Sequence, residues 1–88
     1  MEGANLEEAN LKEANLSYAN LEGTRLRNAN LIRAVLKGSN LKRSDLQYVK
    51  LNGANLEGAN LIGADLRFSG LEGANFKDVS IISYFFCN

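Results

Sequence analysis

The chain has 88 residues with ten basic and ten acidic side chains, no histidine, no proline and one cysteine, for a net charge of zero. That length suits one domain, spanning 1–88, and the charge balance argues against general attraction to a polyanion, so nucleic acid is not the expected partner. Without histidine, with Cys87 as the lone thiol and with no glycine-rich phosphate loop, nucleophile–base pairs cannot be assembled, so neither catalysis nor a bound cofactor is expected.

No hydrophobic stretch approaches the length of a membrane span, and the N-terminus lacks the basic and apolar regions of a signal peptide. The expected setting is cytoplasmic, away from a membrane.

A beat of five residues runs through the chain. All fourteen leucines fall at every fifth position from Leu6 to Leu71, and Phe76 and Ile81 extend the series to sixteen centres. All ten alanines lie two residues before a centre, where Thr24, Ser39, Ser44, Val49, Ser69 and Val79 fill the other places. Each repeat thus reads small position, Asn/Asp slot, centre, outward residue, corner residue.

A helix advances about 100° per residue, so a step of five would move successive leucines about 140° around it and scatter them over every face. Strand alternation fails too, because five is odd. The chain must turn once per repeat, with the small side chain and the centre pointing inward. Seven glycines, from Gly3 to Gly73, sit at the corner. Glu8, Tyr18, Arg43 and Tyr48 stand at the same position, which predicts two turn types: one with positive φ for glycine and one with ordinary dihedrals. If each repeat turns a quarter, four repeats close a square coil of twenty residues and residue i lies beneath i+20. Sixteen repeats then make four coils, with columns such as Leu6, Leu26, Leu46 and Leu66 forming a core ladder.

The first coil, residues 3 to 22, is net −3 through Glu7, Glu8, Glu13, Glu22 and Lys12. Only Met1 and Glu2 precede it, so Leu6 has no covering segment in this sequence; the excess acid is expected to resist end-to-end growth, or the chain is a fragment of a longer repeat protein. The second coil, residues 23 to 42, is net +5 through Arg25, Arg27, Arg33, Lys37 and Lys42. A basic belt can read as a phosphate site, but stacking places Glu7 over Arg27, Glu13 over Arg33 and Glu22 over Lys42. The expected pairs leave Arg25, Lys37 and Arg43 over.

In coils three and four, Tyr48 stacks on Phe68 at a corner, an aromatic patch that is either coil-to-coil packing or a binding surface. Ile62 and Ile82 share another column, on the fourth side, and point to an interface. Asp45 and Asp65 stack in a slot column, where two exposed acids near Arg67 are expected rather than a metal site. Asparagine columns such as Asn20, Asn40 and Asn60 can bond along the stack.

The runs GANLEEANLKEANLSYANL and NGANLEGANLIGADL resemble the pentapeptide-repeat family, over about residues 3 to 83. The resemblance implies an all-β fold, a right-handed quadrilateral parallel β-helix of about four twenty-residue coils; the handedness comes from the resemblance alone. Arg25, Val35, Lys50, Gly70 and Ser80 depart from the family's Asn/Asp slot and, lying outward, are not expected to threaten the fold.

The tail, Ser80 to Asn88, ends the beat because Tyr84 is too large for the small position. Tyr84, Phe85 and Phe86 are read as a lid on the open core or as a C-terminus to C-terminus dimer contact, an arrangement known in the family, with Cys87 a reduced thiol. The function expected from these features is a non-enzymatic scaffold or protein-interaction module, with a protein partner or a second copy. The alternative that the resemblance brings is a nucleic-acid mimic that modulates a type II topoisomerase such as gyrase.

Overall fold

The structure, a computed structural model, describes residues 1–82. The expectations placed on Tyr84, Phe85, Phe86 and Cys87 lie outside the described residues.

Within residues 1–82 every five-residue repeat follows the same path. The centre carbonyl accepts the N–H of the small residue three positions on, as from Ala9 to Leu6 at 3.0 Å and from Val79 to Phe76 at 3.2 Å. The corner residue between them has positive φ, which makes each corner a type II turn. The expected mixture of turn types is therefore wrong. Nine non-glycine corners, Glu8, Glu13, Tyr18, Asn28, Arg33, Arg43, Tyr48, Phe68 and Asp78, adopt φ between 57° and 64°. Each costs on the order of 1 kcal/mol relative to an ordinary conformation. They hold it within a fixed hydrogen-bond pattern: at all nine the following N–H closes the turn onto the centre carbonyl, and at all but Phe68 and Asp78 the corner N–H is also bound to the next coil.

Parallel bridges join residue i to i+20 on all four sides, from Asn5↔Arg25 to Asn60↔Ser80. Each is an isolated, one-residue bridge at the slot, and no extended strand forms among the described residues. Two inward residues per side leave no room for more before the next corner. The coils are therefore held as a four-sided stack of short ladders.

A count of N–H groups explains the repeat's composition. Taking the repeat from Asn30, Asn30 donates to Ala9 of the coil before, Leu31 to Lys50 and Arg33 to Asn52 of the coil after, and Ala34 to Leu31 within the turn. One donor remains, the outward residue Ile32, and it bonds to the Asn30 side-chain Oδ1 at 3.0 Å. The same bond recurs from Asn5 to Asn75 wherever the slot holds Asn or Asp. The amide is thus directed into its own turn. Amide ladders, which the stacking would allow, are therefore rare: one stacked amide bond is present among the described residues, Asn75 Nδ2 to Asn55 Oδ1 at 3.3 Å, and none in the Asn20, Asn40, Asn60 column.

Inside, Leu21 through Leu66 are buried without gaps in the series, between layers of alanine. Hydroxyls enter the small position by bonding back to the centre carbonyl, Thr24 to Leu21, Ser44 to Leu41 and Ser69 to Leu66, at 2.7 to 2.8 Å. Ser39 Oγ is buried with no partner among the described residues. In the ladder column, Leu26, Leu46 and Leu66 are fully buried, whereas Leu6 is only half-buried. It has a coil on one side alone, as do Leu11 and Leu16.

Candidate functional site

With the interior filled and no pocket among the described residues, everything available to a partner lies on the outside of the column. The ionic network there differs from simple vertical pairing. Glu13 and Arg33 do pair directly down a column at 3.0 Å. Glu7, however, is taken by Arg25 at 3.3 Å, Arg27 reaches down to Asp45 at 3.1 Å, and Glu22 pairs with Arg43. Arg25 and Arg43 are therefore not left over, and Lys37 and Lys42 make no ion pair among the described residues. The reason is reach: a guanidinium spans the diagonal between an outward residue and the slot one coil away, or for Arg43 from the corner to the outward Glu22, and its fork engages carboxylates better than an ammonium does.

Asp45 and Asp65, the stacked acids, are each committed to an arginine. Arg67 grips Asp65 through Nε and Nη2, the latter at 2.7 Å, and its backbone N–H bonds the same carboxylate. The Arg67 hydrogen bonds hold the Asp65 carboxyl below the usual carboxylate range, against the opposing effect of partial burial.

Corner side chains lean toward the following coil. The Tyr18 ring lies over Gly38, where an added Cβ would stand 2.4 Å from Cε1, and the stems of Arg33 and Arg43 lie over Gly53 and Gly63. Where the lower corner carries a ring instead of hydrogen, the rings stack: Tyr48 and Phe68 have centroids 5.0 Å apart at an interplanar angle of 16°, yet remain 49% and 61% exposed. Ile62 and Ile82 are also exposed, at 37% and 71%. The aromatic pair stands in a corner column and the isoleucine pair in an outward column of another side, so they form two patches.

Sequence reasoning found the five slots without Asn or Asp but missed what they do to the backbone. At Arg25, Val35, Lys50, Gly70 and Ser80 the outward N–H groups of Arg27, Lys37, Asn52, Glu72 and Ile82 have no partner among the described residues. The departures from the Asn/Asp pattern were the available signal. They leave the fold intact, because coil-to-coil bonds use other donors.

The family profile described as Pentapeptide repeats (8 copies) matches residues 4–43 and 39–78. The chain belongs to the pentapeptide-repeat family. No curated protein sequence matches it. Among solved structures, this pentapeptide-repeat chain is similar to the pentapeptide repeat protein Rfr23 from the cyanobacterium Cyanothece 51142, with 38% identity and a TM-score of 0.64 over 93% of this chain and 59% of that one. It is similar to alr5209 from Nostoc PCC 7120, with 27% identity and a TM-score of 0.71 over 92% and 83% of the two chains. A third similar structure is a pentapeptide repeat protein of the Arabidopsis thaliana thylakoid lumen, with 28% identity and a TM-score of 0.60 over 89% and 68%. The chain spans 59% of the length of the Cyanothece protein.

Proposed function

We propose that this pentapeptide-repeat protein is a non-enzymatic scaffold, a single right-handed quadrilateral solenoid that presents outward side chains to a protein partner or to a second copy of itself. The observation that carries this reading is the Tyr48–Phe68 stack, two large rings about half-exposed on a column whose core is already complete without them. Ile62, Ile82 and the aromatic tail Tyr84, Phe85 and Phe86 supply a second contact, at the C-terminal end, suited to a cap or to a homodimer.

The test compares the wild type with a Tyr48→Ser, Phe68→Ser variant in cross-linking and mass spectrometry, with light scattering on a Phe85→Ser, Phe86→Ser variant alongside. Loss of the cross-linked set by the corner variant, with unchanged circular dichroism, supports the scaffold reading. An identical set in wild type and variant overturns the assignment of that corner. The DNA-mimic alternative ranks second because the net charge is zero and the second coil is basic; inhibition of gyrase supercoiling by the purified protein would reverse that order.

A further inference from the structure

Two of the partnerless outward N–H groups, those of Asn52 and Glu72, occur one above the other on the same side of the column, the only place among the described residues where vacant slots are adjacent. Their slots hold Lys50 and Gly70, joined by a parallel bridge. Gly70 is the one glycine away from a corner, and it does not have positive φ, so the backbone does not demand it. Without a side chain the slot offers no acceptor, and the Asn52 carboxamide partly fills the opening, with Oδ1 3.1 Å and Nδ2 3.5 Å from where a Cβ would stand. Lys50 is exposed and makes no ion pair among the described residues, and Glu72, one coil below, is the acid of this face. Two residues before each slot, across the inward Val49 and Ser69, stand the corner residues Tyr48 and Phe68, so the stacked rings mark the start of this same side.

In eleven other repeats the acceptor for this N–H is a carboxamide or carboxylate oxygen of the chain itself. We propose that at Lys50 and Gly70 the acceptor comes from outside: a carboxylate of an acidic peptide segment, its oxygens accepting from the Asn52 and Glu72 N–H groups and facing the Lys50 ammonium, with an adjacent aromatic side chain of the same segment lying against Phe68. The two donors, about 4.8 Å apart at the coil spacing, are within reach of one carboxylate's two oxygens at bond lengths of about 2.9 Å. Charge selects the ligand: an ammonium and backbone donors favour an anion, and the neighbouring rings favour an apolar residue next to it. The inference rests on the interaction reading above and names the chemistry of the segment bound.

The test is an amide NMR titration of the full chain with a blocked peptide carrying one aspartate beside a phenylalanine. Shifts centred on Asn52, Gly70 and Glu72, saturating in the millimolar range or below, are expected. Gly70→Asn and Lys50→Asn each supply the missing acceptor internally. Either should weaken binding at least tenfold while leaving the melting temperature equal or higher, so that loss of binding cannot be assigned to unfolding. Unchanged peptide affinity in both variants, shifts centred elsewhere, or the same shifts produced as strongly by inorganic phosphate would overturn the proposal. If the peptide fails while Tyr48→Ser, Phe68→Ser still abolishes cross-linking to protein partners, only this inference falls and the scaffold reading stands.

Discussion

Replacing Asn30 by alanine isolates what the slot residue does. In the native repeat four N–H groups are bound by backbone carbonyls and only the Ile32 N–H depends on a side chain, at 3.0 Å to Oδ1. Ile32 is half-buried, so water replaces the lost acceptor incompletely. The expected cost is about 0.5–1.5 kcal/mol, the net value of one hydrogen bond. For a domain of this size each kcal/mol corresponds to about 4–8 °C in Tm. Asn30→Asp keeps the acceptor and should stay within about 0.5 kcal/mol of the wild type. The assay is urea denaturation with a shared m-value, paired with hydrogen exchange at Ile32, whose amide should lose protection in the alanine variant alone. Val35→Asn runs the logic backwards by giving the Lys37 N–H an acceptor, and should raise the midpoint. Equal midpoints for Asn30→Ala and Asn30→Asp would refute the view that the slot exists to satisfy this donor.

Leu46→Ala should cost about 2–5 kcal/mol, as expected for a fully buried leucine, and Leu6→Ala clearly less because Leu6 is half-buried at an end; denaturation midpoints distinguish them. Gly38→Ala places a methyl 2.4 Å from the Tyr18 ring at φ +65° and should lose about 1–3 kcal/mol. Adding Tyr18→Ala should restore only the part due to the clash, a separation that calorimetry of the double variant reads directly. Asp65 has a lowered carboxyl pKa in the folded chain, so its contribution is present above the unfolded value of about 3.9 and disappears as pH falls through the folded one. Asp65→Asn should therefore remove about 0.2–1 kcal/mol at neutral pH and nothing at a pH below the folded value; an equal difference at both pH values counts against the Arg67 pairing.

The five-residue spacing of leucine and the alanines two residues before it were enough to place every inward side chain, because a period incompatible with both helix and strand admits only a turning coil. The column partners i and i+20 followed from closing that coil in four repeats. The stack of Tyr48 on Phe68 followed in turn, since corner residues twenty apart must be neighbours. By contrast, two details that depend on dihedrals and reach were not legible. Glutamate, tyrosine and arginine at corners suggested a second turn type, yet those residues take positive φ because the same turn, closed by the small residue's N–H on the centre carbonyl, is built at all sixteen described corners.

What the sequence by itself determined is the repeat, its inward and outward faces and its column partners, since these follow from period alone. Only the tertiary structure decided which charges meet, because guanidinium reach lets Arg25 and Arg27 choose diagonal carboxylates over vertical ones. It also decided the role of the slot. Asparagine on an outward face looks like surface in a sequence, and its purpose appears only when every backbone donor has been traced and the one at the outward residue is found to have no other partner.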